Sequence, residues 1–106
     1  MKNTRAKQWE KISEGLVSYN QIQRIQKNKQ PITLTLLAIG SPSLASSSID
    51  VVRKGNKYYV YNNINPTRNR KPYIYLSCAV RYAVKEYKAV LATYKWRMVT
   101  TATPTP

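Results

Sequence analysis

Tyr59, Tyr61, Tyr73 and Tyr75 stand at alternate positions in two short runs, K-Y-Y-V-Y at 57–61 and P-Y-I-Y-L at 72–76, with Arg53, Lys54, Lys57, Arg68, Arg70 and Lys71 around them in sequence. Tyrosine is the aromatic that tolerates water. Its ring can stack on a nucleic-acid base while neighbouring cations meet phosphates. The same rings would stabilise a sheet by cross-strand pairing whatever the protein binds. In a third arrangement the N-terminal region covers them with Trp9 and Ile12, making a second core layer. These readings differ in what lies over the rings.

Bond-making chemistry has little to work with. The chain has no histidine, its acids are Glu10, Glu14, Asp50 and Glu86, and Cys78 is its one cysteine. Catalysis by proton transfer or a nucleophile needs such groups spaced to cooperate, and these are not. We therefore expect no enzyme, no metal, no cofactor and no small-molecule substrate. A lone cysteine cannot form an internal disulfide, which suits a reducing, cytoplasmic setting, nucleoid- or assembly-associated. Eighteen Lys plus Arg against four Asp plus Glu leave a net charge of +14. Such an excess repels itself until an anion shares the space. DNA or RNA is the commonest such anion, although an anionic membrane surface or an acidic protein would satisfy the same balance.

The length suits a single domain, here residues 1–98, followed by an extended tail at 99–106. Over residues 3–30, Trp9, Ile12, Leu16, Tyr19 and Ile22 recur at helical spacing. Gly15 and the S-x-x-Q of Ser18 and Gln21, the form of a capping box, indicate a break into two helices. Residues 32–36 alternate as a half-buried strand, with the following L-L-A-I equally suited to a helical turn. The apolar run in 31–46 ends in S-L-A-S, imitating a leader-peptide cleavage site. It is preceded by some thirty residues with helical periodicity, and it falls short of the roughly 18 apolar residues of a membrane span, so we read it as core. Residues 40–48 are a Ser-rich connector.

Gly55-Asn56 between two strand-like runs predicts a hairpin over 50–63 with a two-residue loop. That loop pairs Lys54 with Lys57, Arg53 with Tyr58, Val52 with Tyr59, Val51 with Val60 and Asp50 with Tyr61. Ile49, Val51, Tyr58 and Val60, with Ile64 as a further candidate, then face the core, and Asp50, Val52, Lys54, Lys57, Tyr59 and Tyr61 face away. A basic loop follows at 66–71, and 73–77 alternates as a third strand, placing Ile74 and Leu76 in the core and Tyr73 and Tyr75 beside Tyr59 and Tyr61. Val80, Val84, Tyr87, Leu91, Tyr94 and Met98 form an apolar stripe that predicts a helix over 78–98 covering the sheet. Arg81, Lys85, Lys88 and Lys95 form a second, basic stripe on it.

The order strand, strand, strand, helix over about 49–95, carried by G-N-K-Y-Y-V-Y, P-Y-I-Y-L-S and A-V-K-E-Y-K-A-V-L, resembles the small DNA-binding domains at the front of some phage-type integrases and in a class of plant transcription factors. Their layout implies a three-stranded sheet entering the major groove. The long N-terminal helical region departs from that layout. The expectation is an α+β domain, with an N-terminal helical region, a small antiparallel sheet of three to four strands and a long C-terminal helix packed on it. Such a domain would bind DNA or RNA by counterion release and ring contacts. The alternative is a subunit of a virion or other large assembly, whose basic and tyrosine surfaces are buried against neighbouring protein chains.

Overall fold

The computed structural model describes residues 4–39, 46–69, 71–93 and 95–99. Its elements are α1 (Thr4–Ser13), α2 (Tyr19–Asn28), β1 (Ile32–Ala38), β2 (Ser46–Lys54), β3 (Lys57–Asn62), a 3-10 turn (Pro66–Arg68), α3 (Leu76–Leu91) and β4 (Trp96–Met98). The four strands form one antiparallel sheet in the order β3-β2-β1-β4. The α+β architecture read from the sequence is the one observed.

The N-terminal region breaks where its residues require. Glu14 and Gly15 both take positive φ (53° and 78°), closing α1, and the Gly15 amide donates to the Glu10 carbonyl at 2.9 Å. Ser18 then opens α2 with a full capping box: its hydroxyl accepts from the Gln21 amide, and the Gln21 side chain accepts from the Ser18 amide at 2.9 Å. Lys29, in the left-handed conformation, closes α2 ahead of Pro31. Ile22 and Ile25 are fully buried, while Trp9, Ile12, Leu16 and Tyr19 pack partly buried on the same core.

The hairpin has the expected register throughout, from Lys54↔Lys57 to Asp50↔Tyr61. Of its two loop residues only Gly55 has positive φ (63°), the type II′ pattern that matches strand twist. Ile32, Leu34, Leu36, Ile49, Val51 and Val60 point to one side, and Val80, Val84 and Tyr87 of α3 close over them. Ala79 and Ala83, both buried, let the helix come close. The Tyr87 hydroxyl donates to the Thr35 carbonyl at 3.0 Å, and burial raises the pKa of this phenol above its ordinary value. Helices α2 and α3 both pack on this one side, with α1 against them.

Several expectations are corrected. Residues 73–77 are not a strand. Tyr73 makes a single bridge to Tyr58, with amide–carbonyl bonds of 2.8 Å each way, Tyr75 caps α3, and Leu76 is already helical. Ile74, expected in the core, is 68% exposed. The reason is periodicity: Leu76 lies four residues before Val80, so it extends the helical stripe, and burying it on α3 turns Ile74 outward. The resemblance in layout fails with it, because the third strand of the sheet is β1, which precedes the hairpin, and a fourth follows α3. That helix stops at Leu91 rather than 98, where the Thr93 hydroxyl and amide both bond the Val90 carbonyl at 2.8 and 3.0 Å. Met98 is thus on β4, opposite Leu36 and 41% exposed. Ser46–Ser48, assigned to the connector, belong to β2, and the run from residue 32 remains a strand to Ala38. Val99, placed in the tail, donates to the Thr35 carbonyl at 3.3 Å. Tyr94 and residues 100–106 lie outside the described residues.

Two substitutions separate this fold from the three-strand layout. Ile49→Ala should cost about 2–5 kcal/mol, as for other buried large-to-small changes, whereas Ile74→Ser should stay within about 0.5 kcal/mol. Denaturant unfolding checks both. A core-sized loss at Ile74 would restore the third strand.

Candidate nucleic-acid interface

Register defines what the uncovered side of the sheet presents, since directly paired residues share a face. From the hairpin end it runs in rows: Lys57 beside Lys54, Tyr59 beside Val52, Tyr61 with Asp50 and Thr33, Ser48 with Thr35, and Ser46 with Leu37 and Arg97. Five rows two residues apart span about 27 Å. Among the described residues no helix lies over this face.

The Tyr59 and Tyr61 rings are near-parallel, 10° apart in plane with centroids separated by 6.3 Å. Lys54 Nζ sits 5.3 Å from one centroid and 5.5 Å from the other, and donates to the Tyr61 hydroxyl at 3.0 Å. That hydrogen bond, with the nearby phenols, raises the Lys54 pKa above its ordinary value. Facing Lys57 across the hairpin would repel it, and bending over the tyrosines relieves this. Asp50 is the acid of this face. Its Oδ2 accepts from Asn63 Nδ2 at 2.9 Å, while Oδ1 is enclosed without a partner.

The other expected contact residues are dispersed. Arg53 pairs with Tyr58 on the core side, its guanidinium 5.9 Å from that ring, and donates to the Gln26 carbonyl at the end of α2. Tyr73 is half-buried with its ring 6.2 Å from Tyr82, and Tyr75 projects 69% exposed from the start of α3. Neither joins Tyr59 and Tyr61, because the segment carrying them bridges the outer edge of β3 at Tyr58, which sets Tyr73 on the core side, and then turns into α3 at Tyr75. This segment protects that edge: Tyr73 satisfies Tyr58, and Asn69 Oδ1 accepts from the Asn62 amide at 2.7 Å. Lys71 is exposed there, and Arg70 lies outside the described residues.

Arg68 is turned to the helix side. Its Nε and Nη2 donate to both oxygens of Glu86 at 3.1 and 2.9 Å, and Asn62 Nδ2 adds a third bond at 3.1 Å. Glu86 is 3% exposed. Asn62 Oδ1 accepts from the amides of Ile64 and Asn65, so one buried asparagine ties the loop, the strand and the carboxylate together. Arg68 leads the groups that hold the Glu86 carboxyl below its ordinary pKa, and Glu86 in turn raises that of Arg68.

The basic stripe divides as well. Arg81, Lys85 and Lys88 line a cleft of about 770 Å³ with Gln8, Lys11, Ile12 and Glu14 of α1 and its end. Lys95, beyond the helix, lines a different cleft with Trp96 and Glu86. No family model, curated protein or solved structure matches this chain. Its function therefore rests on these surfaces.

Arg97 is a cation of this face that was not expected from the sequence, and neither were the hydroxyls of Thr33, Thr35, Ser46 and Ser48. The alternation of Trp96, Arg97 and Met98 was the available signal, masked by a helical stripe that continued to Met98. Trp9 and Ile12 do not cover the tyrosines, since they pack on the core on the opposite side.

A carboxylate with a depressed folded pKa stabilises the fold above its unfolded pKa, and that contribution is lost as pH falls through the folded value. Thermal melts from pH 7 down to 3 should therefore show a loss of stability that Glu86→Gln lacks. Parallel curves for the two proteins would mean that the Arg68–Glu86 pair contributes nothing.

Proposed function

We propose that the open sheet face is a non-catalytic, salt-sensitive binding surface for single-stranded nucleic acid. The observation that carries the reading is the parallel Tyr59–Tyr61 pair, with Lys54 over it and Lys57 beside it, on a face that no described helix covers. Unpaired bases stack on such rings at about 1–3 kcal/mol each. The cations of the face meet phosphates at its hairpin end, and Arg97 does so at the diagonal corner. Thr33, Thr35, Ser46 and Ser48 supply hydroxyls between them. The net charge of +14 fits the same partner.

A second reading, an assembly subunit, is favoured by the exposed apolar groups Ile39 and Met98 near β4 and Ile74 and Tyr75 before α3. Mass in solution without nucleic acid tests it: a stable oligomer supports the subunit reading, a monomer the binding module.

Binding to labelled single- and double-stranded DNA and RNA at two salt concentrations tests the first. Lys54→Ser with Lys57→Ser should lower the single-strand salt slope by about 0.7 per lost phosphate contact. Tyr59→Leu with Tyr61→Leu, which retains apolar bulk, should weaken single-strand binding by about 1–3 kcal/mol per unstacked base. Unchanged affinity and slope in both variants, each shown to fold by its melting curve, would remove the face from the interface. Preference for duplex would point to groove contact instead of stacking.

A further inference from the structure

The cleft between α1 and α3 brings together four cations, Lys11, Arg81, Lys85 and Lys88, over an apolar floor at Ile12. One carboxylate shares it, and Glu14 is already engaged by Lys88 at 2.6 Å. Arg81, Lys85 and Lys88 are spaced four and three residues apart, so α3 aligns like charges on one face, and α1 adds Lys11 from across the cleft. Like charges at such spacing disfavour the helix, and Lys11 across the cleft adds to the repulsion. Among the described residues Lys11, Arg81 and Lys85 are exposed and no side-chain hydrogen bond or ion pair of theirs offsets the repulsion, although the Lys85 charge helps, at longer range, to hold the Glu86 carboxyl below its ordinary pKa. A polyanion lying along the cleft would remove the repulsion.

The cleft belongs to the helix layer, and that layer packs on the side of the sheet away from Tyr59 and Tyr61. We propose that this cleft is a second phosphate-backbone site, so that one copy of the protein joins two nucleic-acid segments, one on the open sheet face and one along α1 and α3. The inference rests on the proposed sheet-face reading, which supplies the first segment. Its partner chemistry is narrower, because the cleft holds cations and no aromatic ring: it would take the backbone of either a single strand or a duplex, without stacking.

A tethering assay separates the two sites. A poly-thymidine strand is fixed to beads, full-length protein is added below the strand concentration, and retention of a second, fluorescent poly-thymidine strand is read. The same proteins are measured for affinity to one free strand and for mass by sedimentation. Lys11→Ser, Arg81→Ser and Lys85→Ser are combined, leaving Lys88 with Glu14. This variant should retain roughly tenfold less second strand, the scale of losing three phosphate contacts. Its affinity for one strand through the distant sheet face should stay within about twofold. Lys11→Arg with Lys85→Arg, which keeps the charge, should tether as the wild type does.

Undiminished tethering by the serine variant overturns the proposal, as does tethering by a dimer whose mass is the same in both proteins. Binding of one strand with no tethering by the wild type overturns it and leaves the sheet-face reading standing. Failure of the wild type to bind any strand rejects the sheet-face reading itself. If the serine variant instead loses only binding to vesicles containing anionic lipid, the cleft faces a membrane surface, and the proposal is also overturned.

Discussion

Everything in this fold depends on the sheet having one apolar side, and on the described helices covering that side alone. Ile32, Leu34 and Leu36 on β1, Ile49 and Val51 on β2 and Val60 on β3 form a continuous aliphatic surface, closed by Val80, Val84 and Tyr87 of α3 and by Ile22 and Ile25 of α2. Burial of that surface is the main favourable term in folding. No described helix covers the opposite face, and that face is built mostly from residues that tolerate water. Threonine, serine, lysine and tyrosine do so, and they are also residues that can engage a polyanion.

The scarce acids reinforce this division. Glu86 is enclosed and held by Arg68 and Asn62, organising the loop that protects the edge of β3. Glu14 pairs with Lys88 in the helical cleft, and Asp50 is bonded by Asn63 on the open face. Each pairing commits a negative charge locally and leaves the large cationic excess at the surface. Two concentrations of that excess result, one around the stacked tyrosines and one between α1 and α3, on opposite sides of the core.

Much of this was legible from local rules. The hairpin register followed from Gly55, because a two-residue loop with positive φ at its first position admits one pairing. The break between α1 and α2 followed from Ser18 and Gln21, whose reciprocal bonds need only three residues of chain. Where two periodicities overlapped, local reading had no means to decide. Pro72–Leu76 alternates like a strand, yet Leu76 also continues the stripe of Val80 and Val84. Trp96–Met98 alternates too, yet Met98 completes a helical repeat. Half of the tyrosine face was assigned wrongly on the first ambiguity, and Arg97 was missed on the second.

By itself, then, the sequence determined the α+β class, the amphipathic faces, the hairpin pairing and the cationic excess, since each depends on residue type and spacing within a few positions. Only the tertiary structure decided which cations are free. Arg53 and Arg68 look like Lys54 and Lys57 in sequence, but one donates to the end of α2 and the other to a buried carboxylate 18 residues away. Tertiary packing also decided that Lys11 shares a cleft with Arg81 and Lys85, that β1 rather than residues 73–77 completes the three-stranded core of the sheet, and that β4 closes its far edge. Such contacts join residues far apart in the chain, and their partners are selected by how the buried surfaces fit together, which no local pattern encodes.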